Sequence, residues 1–442
     1  MNKKTRDWLF GIFVCLFVFI TVVLSLTATG YRFNFSWPLN FHRVLQQTGT
    51  IALDSDPEGA KITIIGEQKQ GFSLNQLFKN KKELLTPIKI KNLLPGEYLV
   101  SFELDGYWPY QKKLRVNATQ TTFLENIVLF KNGLPLKVSA TTQQEIEYSS
   151  NERYAWLKKD QKIIDLKTEE QIYQNISSNI NWVNNDKQIF DGAKLVNLEN
   201  GAINDYQTII GLPNQAKIID NNIIYQDKNN LTIYNTSDKS FKIVASRGEI
   251  LHYLINDTSI LTINKDGDKT HLDAYSLSNG SLTDSIELLF EAKKYQISTD
   301  SGYLTILDED HSTLYLISLK NKLNIIETIR GVSAYHWRNS DQIFYATGPE
   351  IYIYDLKQDK SWLLNRIGEE VTSLAWSNNN NFLIFSSLKN IGIINLVDNI
   401  NDITNIWTAE NISSLNLDDK NQVLYFFSSI GEQGGLYKIH LR

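Results

Sequence analysis

Apolar and polar positions follow three different rhythms along the chain. The first is unbroken: residues 9–28, LFGIFVCLFVFITVVLSLTA, carry no charge. A helix of about 20 residues rises about 30 Å, the thickness of a bilayer's hydrocarbon core. Lys3, Lys4 and Arg6 precede the run against Asp7 alone, and Trp8 stands where an interfacial ring anchors a helix. The pattern predicts a cytoplasmic tail over 1–7, a transmembrane signal-anchor helix over 8–30, and an extracytoplasmic remainder. A cleaved signal peptide has a shorter apolar core and a small-x-small site, which Leu26-Thr27-Ala28 matches poorly.

The second rhythm begins after a juxtamembrane linker, 31–47, that mixes aromatics with Arg32, His42 and Arg43. That linker suits either the headgroup layer or packing on the next domain. From Thr48 the apolar residues recur at every second place. Ile51 and Leu53 do so, as do Ile62 and Ile64, Ile88 and Ile90, and Tyr98, Val100 and Phe102. Turns fall at Pro57-Glu58-Gly59, Pro95-Gly96 and Asp105-Gly106. Period-two alternation broken by Pro and Gly predicts strands and tight turns. The expectation for 48–130 is a small antiparallel β-sandwich, with the lysine-rich 65–86 as an inserted loop.

The third rhythm is a repeat. VSAYHW…QIFYATGPEIYIYDL, VTSLAWSNNNNFLIFSSLKNIGIINL and ISSLNL…QVLYFFSSIGEQGGLYKIHL share one strand-turn-strand-turn-strand pattern. Trp337 and Trp376 lie 39 residues apart, and Asn416 holds the matching place 40 further on. A period near 40 with three or four strands per unit predicts a β-propeller over 134–442. The division runs 145–175, 177–213, 216–247, 249–290, 293–330, 332–366, 371–408 and 412–441. Eight blades need about 38 residues each, and seven, the alternative, about 44. LPLKVSA (134–140) is the candidate outer strand that closes the ring on the last blade. The fold class expected is therefore an all-β ectodomain behind one N-terminal transmembrane helix.

Composition changes this picture little. A net charge of −5 argues against nucleic acid, which needs a basic face. The single cysteine, Cys15, sits inside the apolar run, so no intramolecular disulfide forms. It reads as a small membrane-embedded hydrophobe, not a lipidation site.

Candidate chemistry is thin. Trp182, Trp337 and Trp376 recur at one blade position, with Trp156 as a degenerate counterpart, and repetition at fixed phase points to inter-blade packing before sugar stacking. Asn264-Lys265-Asp266-Gly267-Asp268 resembles half a calcium loop but lacks the closing Glu, which favours a hairpin turn. The six histidines are scattered and no Gly-x-Ser-x-Gly elbow occurs. Asp257, Asp266, Asp308, Asp310 and Asp341 are the acids available to a hydrolytic propeller, all in turn-like contexts. No catalytic, cofactor-binding or metal-ligating residue is assigned.

Two resemblances add to this. Thr50-Ile51-x-Leu53-x-Ser55-x-Pro57-Glu58-Gly59-Ala60, then Thr86-Pro87-Ile88, Leu94-Pro95-Gly96-Glu97-Tyr98 and Asp105-Gly106-Tyr107, resemble the PEGA family, named for the tetrapeptide at 57–60. That resemblance implies a non-catalytic extracytoplasmic β-sandwich module of bacterial and archaeal surface proteins. Its structural motif is carried by Pro57, Glu58, Gly59, Ala60, Pro95, Gly96, Asp105 and Gly106. The repeat units resemble the TolB-like and WD40-like propellers of bacterial envelope proteins, although the Gly-His and Trp-Asp marks of true WD40 repeats are absent.

Together these readings predict a membrane-anchored extracytoplasmic scaffold of the cell envelope. The lipid bilayer is met through 8–30, and the propeller serves as a platform for an envelope protein or polysaccharide. The alternatives are a carbohydrate-active or other hydrolytic propeller and a purely structural cell-wall component.

Overall fold

The computed structural model describes residues 3–28, 30–33, 45–66, 83–142 and 145–442, apart from short breaks at 178–179, 212, 214–215, 228–229, 246–247, 257, 289–294, 301, 321, 380, 397–401 and 432. The apolar run forms the helix Lys3–Ala28, whose span Thr5–Leu26 is long and apolar enough to cross a membrane. Among the described residues, none of those in Thr5–Leu26 is buried, and Phe10 and Phe17 are 71% and 70% exposed. Within the expected linker, Tyr31–Phe33 pairs antiparallel with Leu45–Gln47, while 34–44, with His42 and Arg43, lies outside the described residues. Most of the expected 65–86 loop also lies outside them.

The chain divides into two compact units. One comprises Met1–Gly133 with Asn395–Ile406 and Leu441–Arg442. It holds two three-stranded sheets. In the first, Gly49–Asp56 lies between Ile88–Leu93 and Thr121–Val128; in the second, Gly96–Glu103 lies between Lys61–Gly66 and Tyr110–Val116. Ile51, Leu53, Ile62, Val100, Phe102, Leu124 and Ile127 make one shared core. Tyr98, Val100 and Phe102 enter that core from alternate positions, as period two requires. One pairing corrects the expectation of a wholly antiparallel module: Thr121–Val128 runs parallel to Gly49–Asp56. The chain has crossed to the second sheet before returning, and a crossover return brings a strand back in the same direction as its neighbour.

A pair of buried hydroxyls organises the Pro57–Ala60 turn. Ser55 Oγ lies 2.7 Å from Thr86 Oγ1 and donates to the Pro57 carbonyl at 2.8 Å. The Ala60 N–H donates to Thr86 Oγ1 at 3.0 Å, and the Gly59 N–H donates to the Thr86 carbonyl at 2.9 Å. Gly59 takes φ +90°, a left-handed value that glycine adopts without a Cβ penalty.

The other unit, Leu134–Ile394 with Trp407–His440, is built from repeated four-stranded antiparallel sheets in a propeller-like arrangement. Among the described residues there are eight, spanning 146–174, 180–205, 216–245, 249–288, 295–330, 332–366, 373–408 and 410–440. The last has only three strands of its own and takes Leu136–Ala140 as its fourth, paired antiparallel with Gln433–His440. One helical turn, Gln207–Ile210, follows the second sheet.

Each sheet packs on the next. Trp156 and Ile163 meet Ile189 and Val196, Phe190 meets Ile218 and Ile223, and Ile233 and Val244 meet Tyr253 and Ile260. Leu261 and Leu272 then meet Leu304 and Ile306, Leu314 and Leu316 meet Ile343 and Tyr345, and Phe344 meets Trp376 at 5.1 Å. Ser377 donates to Asp419 between the seventh and eighth sheets. Leu157 and Ile164 of the first sheet share a core with Val423 and Leu436 of the eighth. The opening strands of neighbouring sheets also touch: Val332–Asn339 with Ser373–Ser377, that strand with Glu410–Asp418, and Ile146–Tyr148 with Glu410–Asp418.

A second repeat lies in the hairpin after each third strand. That strand ends in Asp165, Asn197, Asn235, Ser276, Ser318, Asp355 or Asn395 in the first seven sheets. The side-chain oxygen then caps the turn: Asn235 Oδ1 accepts from the N–H groups of Ser237 and Asp238 at 2.9 and 3.1 Å, and Asp355 Oδ1 from those of Lys357 and Gln358 at 2.9 Å each. Four places on, Glu169, Gly201, Lys239, Gly280 and Asp359 all take φ between +50° and +71°.

Two outcomes follow. Thr86→Val strips the acceptor from the buried Ala60 N–H and is expected to cost about 1–3 kcal/mol in guanidinium unfolding; an unchanged midpoint would show that the hydroxyl pair is dispensable. Lys239→Gly relieves a left-handed non-glycine residue at a slot that Gly201 and Gly280 already fill, and is expected to stabilise by up to about 1 kcal/mol. The same replacement at Ser237, which is not left-handed, should destabilise instead.

Candidate functional site

Opening strands of several sheets line a cavity of about 590 Å³ in the propeller-like unit. Strand Tyr295–Asp300 contributes Gln296, Ser298 and Asp300, alternate residues that share one face. Strand Val332–Asn339 contributes the consecutive residues Ser333 to Trp337, because register shifts between 332 and 334 and between 337 and 339 break its alternation. Thr372, Ser373 and Leu374 come from the seventh sheet and Ser413 and Ser414 from the eighth. Pairing shifts on either side of Ser413, and Ser414 takes φ +53°. Glu145, just before the first sheet, completes the wall.

Hydroxyls in this wall tie sheets together. Ser298 Oγ lies 3.0 Å from Tyr335 Oη and 2.5 Å from Thr305 Oγ1. Thr372 Oγ1 donates to the Ile412 carbonyl at 3.5 Å, the Leu415 N–H donates to Ser373 Oγ at 3.4 Å, and Tyr148 Oη donates to the Ser414 carbonyl at 3.0 Å. Ser413 Oγ and the Trp337 indole N–H are buried with no partner among the described residues.

Among the described residues, no lysine or arginine lines the cavity, and the acids that do are Glu145 and Asp300. Burial pushes the His336 imidazole down to about 4, against an opposing pull from Asp300, so the ring is neutral at pH 7. Two neighbouring opening strands carry a related pair. Burial lowers Lys217 to about 8, and its ammonium donates to the Tyr253 carbonyl at 2.8 Å. His252 is held down to about 4 by burial and by Lys217, its ring edge-on to Tyr295 at 5.8 Å.

The recurring tryptophans each lie against an aromatic of the preceding sheet. Trp182 stacks on Tyr154 at 6.3 Å, Trp337 on Tyr303 at 5.8 Å, and Trp376 tilts against Phe344 at 5.1 Å. Trp376 is buried, while Trp182 and Trp337 are half-buried. Trp156 is not their counterpart, since it belongs to the second strand of its sheet, opposite Glu147. Nor does Asn416 hold the matching place: Trp376 pairs with Leu383 at the second position of its partner strand, and the residue so placed in the eighth sheet is Leu417, opposite Leu424. The motif spacing agrees, since the sixth residue of VSAYHW and VTSLAW is the tryptophan and the sixth of ISSLNL is Leu417.

Asp266, Asp308, Asp310 and Asp341 do not line the cavity, and Asp257 lies outside the described residues. Asp308 is fully buried and accepts from the N–H groups of Asp310 and His311 at 3.0 and 3.1 Å, while Asp341 accepts from Lys357 at 2.8 Å. Gly267-Asp268 forms a two-residue hairpin turn, because Asp266 pairs with Lys269. Asn264 points away from that turn into the sheet, donating to Thr262 Oγ1 and Asp273 Oδ2 at 2.8 Å each. Among the described residues no group of three or more His, Cys, Asp or Glu could hold a metal.

In the other unit, Pro57 to Ala60 form the turn tied to Thr86, with Glu58 exposed and Ala60 buried. Pro95-Gly96 leads into the strand that carries Tyr98, whose hydroxyl donates to the Leu94 carbonyl at 2.7 Å. Asp105-Gly106 is an exposed turn with Gly106 at φ +81°.

No protein-family model matches the chain, and no curated protein matches it. Among solved structures it is similar to a eukaryotic initiation factor, at 16% identity over 71% of this chain and 90% of that one, TM-score 0.45. It is also similar to BamB from Moraxella catarrhalis, at 10% over 69% and 100%, TM-score 0.43. The Neurospora crassa Pan2 WD40 domain shows 8% identity over 68% and 89%, TM-score 0.40. All three are distant likenesses of β-rich, propeller-type fold, and they identify no family.

The neutral histidines make stability depend on acid. His336 and His252 sit near 4 when folded and near 6.5 when unfolded. Between those values the unfolded chain binds protons that the folded chain does not, so stability is full above pH 6.5 and falls as the pH drops towards 4. The ceiling is about 1.4 kcal/mol per pH unit per ring, reduced because both rings keep partial solvent exposure. Replacing both with Gln is expected to flatten the loss of urea stability between pH 7 and 5; an unchanged slope would show that neither imidazole is held neutral.

Proposed function

We propose that this chain is a single-pass membrane protein whose helix holds an extracytoplasmic eight-bladed propeller and a PEGA-like β-sandwich at the surface of the cell membrane. It acts as a non-enzymatic binding scaffold of the envelope, with a protein or polysaccharide as partner. The observation that carries this reading is the convergence of opening strands from different sheets on one polar cavity, in a chain whose N-terminal helix is long and apolar enough to cross a membrane. A ring of sheets holds such a wall rigidly while leaving its mouth open to a partner. The eight-sheet order, with the eighth packed on the first, supports the blade number. Support for the PEGA-like reading is local: Pro57, Glu58, Gly59 and Ala60 form a single turn fastened to Thr86, the residue that opens the next matched motif. Of the acids the sequence offered to a hydrolytic propeller, Asp308 and Asp341 are held by hydrogen bonds in hairpin turns away from the cavity.

Anchoring is tested by extracting membranes with alkaline carbonate. The full chain is expected to stay in the pellet and a chain lacking 8–30 to appear in the supernatant. Release of the full chain would remove the anchor from this reading. The platform is tested by capture from solubilised envelope on residues 31–442, where loss of the bound species on deleting 134–442 is expected. A hydrolysed glycan or peptide in the same extract, with nothing retained, would replace the scaffold with an enzyme.

A further inference from the structure

The chemistry of the central cavity narrows what it can hold. An anion would face Glu145 and Asp300, and among the described residues no lysine or arginine in the wall offsets them. A simple cation, ammonium or guanidinium, is donor only. It would leave two of the wall's donors without an acceptor, the neutral His336 ring and the Ser413 hydroxyl, whereas the Gln296 amide already donates to Glu309 at 2.8 Å and Ser333 Oγ to the Ala346 carbonyl at 3.4 Å. Ser413 Oγ already lacks a partner, and a turn about its Cα–Cβ bond is the only motion that side chain needs to change its aim. An apolar ligand fails as well, because Leu307, Ala334 and Leu374 offer little surface and the polar groups would lose water without replacement. A ligand whose groups both donate and accept meets every requirement. Hydroxyls on a neutral ring do this, and Tyr335 and Trp337 supply aromatic surface for the ring's apolar face. The volume, about 590 Å³, lies within the range of ligand sites.

We infer that the cavity bounded by Gln296, Asp300, Ser333, His336, Ser373 and Ser413 binds a neutral, polyhydroxylated ligand of carbohydrate chemistry. This rests on the reading of the propeller as a binding platform and assigns that platform's centre a ligand class.

The test is isothermal titration of the full chain in an amine-oxide detergent, which carries no sugar headgroup to compete. The probes are N,N′-diacetylchitobiose and cellobiose as neutral ligands, spermidine as the cation and a uronic-acid disaccharide as the anion. A neutral disaccharide is expected to bind, the uronic acid to bind at least tenfold more weakly, and Ser333→Phe to weaken the neutral ligand at least tenfold while Ser333→Ala retains it. Asp300→Asn keeps an acceptor and should change neutral affinity by less than fivefold, whereas a site for cations would lose tenfold or more. Trp337→Phe gives a readout that does not depend on filling the cavity: it should abolish the ligand-induced change in tryptophan fluorescence while binding heat persists. Binding of spermidine alone overturns the ligand class, and neutral binding that survives Ser333→Phe in a chain with unchanged unfolding midpoint overturns the location. No binding by any probe overturns the inference and leaves the platform itself to stand or fall on envelope capture.

Discussion

Burial on both faces is the constraint from which the propeller-like unit follows. Strand Phe382–Ser386 is buried at every position, and so is Tyr154–Leu157. A four-stranded sheet with such strands at its centre has apolar surface on two sides and cannot persist alone. Each sheet must therefore lie between two others, and only a closed series leaves no face uncovered. The shared core of the first and eighth sheets supplies that closure. Leu136–Ala140 reinforces it, since the eighth sheet is completed by residues that precede the first. The pairing joins chain segments nearly the whole length of the unit apart, so its loop-closure cost falls on a late step of folding.

Much of this was legible because the repeat is chemical as well as hydrophobic. The third strand's closing Asp, Asn or Ser is a poor strand residue and a good turn cap. Its recurrence marks the hairpin in sheets where no tryptophan survives, and each observed sheet falls inside, or within two residues of, one expected unit. Strand direction was less legible. Period-two alternation reports which face is buried and is silent on whether a neighbour runs parallel, so Thr121–Val128 was misread. Trp156 failed for a related reason: residue type without register cannot tell a first strand from a second.

The cavity lay deeper than sequence pattern reaches. Gln296, Ser298 and Asp300 alternate with Tyr295, Ile297 and Thr299, and polar alternation normally signals a face turned to bulk water. Here the polar face turns inward to a shared cavity, a distinction that depends on the ring and not on the strand. Ser333 to Trp337 hide further, because register shifts bring neighbours of opposite phase to one wall. A signal was present in retrospect. Hydroxyl residues cluster on the opening strands of the last sheets, at Ser333, Thr372-Ser373 and Ser413-Ser414, where exposed strands elsewhere in the chain carry lysine and glutamate.

That substitution of hydroxyl for charge has a physical logic. Ions drawn into a concave, partly dehydrated wall cost several kcal/mol each unless paired, and unpaired hydroxyls cost far less. The wall keeps its hydrogen-bonding capacity with groups that rotate about one bond, and His336 joins them by losing its proton. The series of sheets is then free to be rigid, since adjustment is left to rotors such as Ser413 and not to the backbone. Rigidity and adjustability reside in different atoms of the same wall: Ser298, Thr372 and Ser373 tie the opening strands to their neighbours, while Ser413 Oγ has no partner among the described residues.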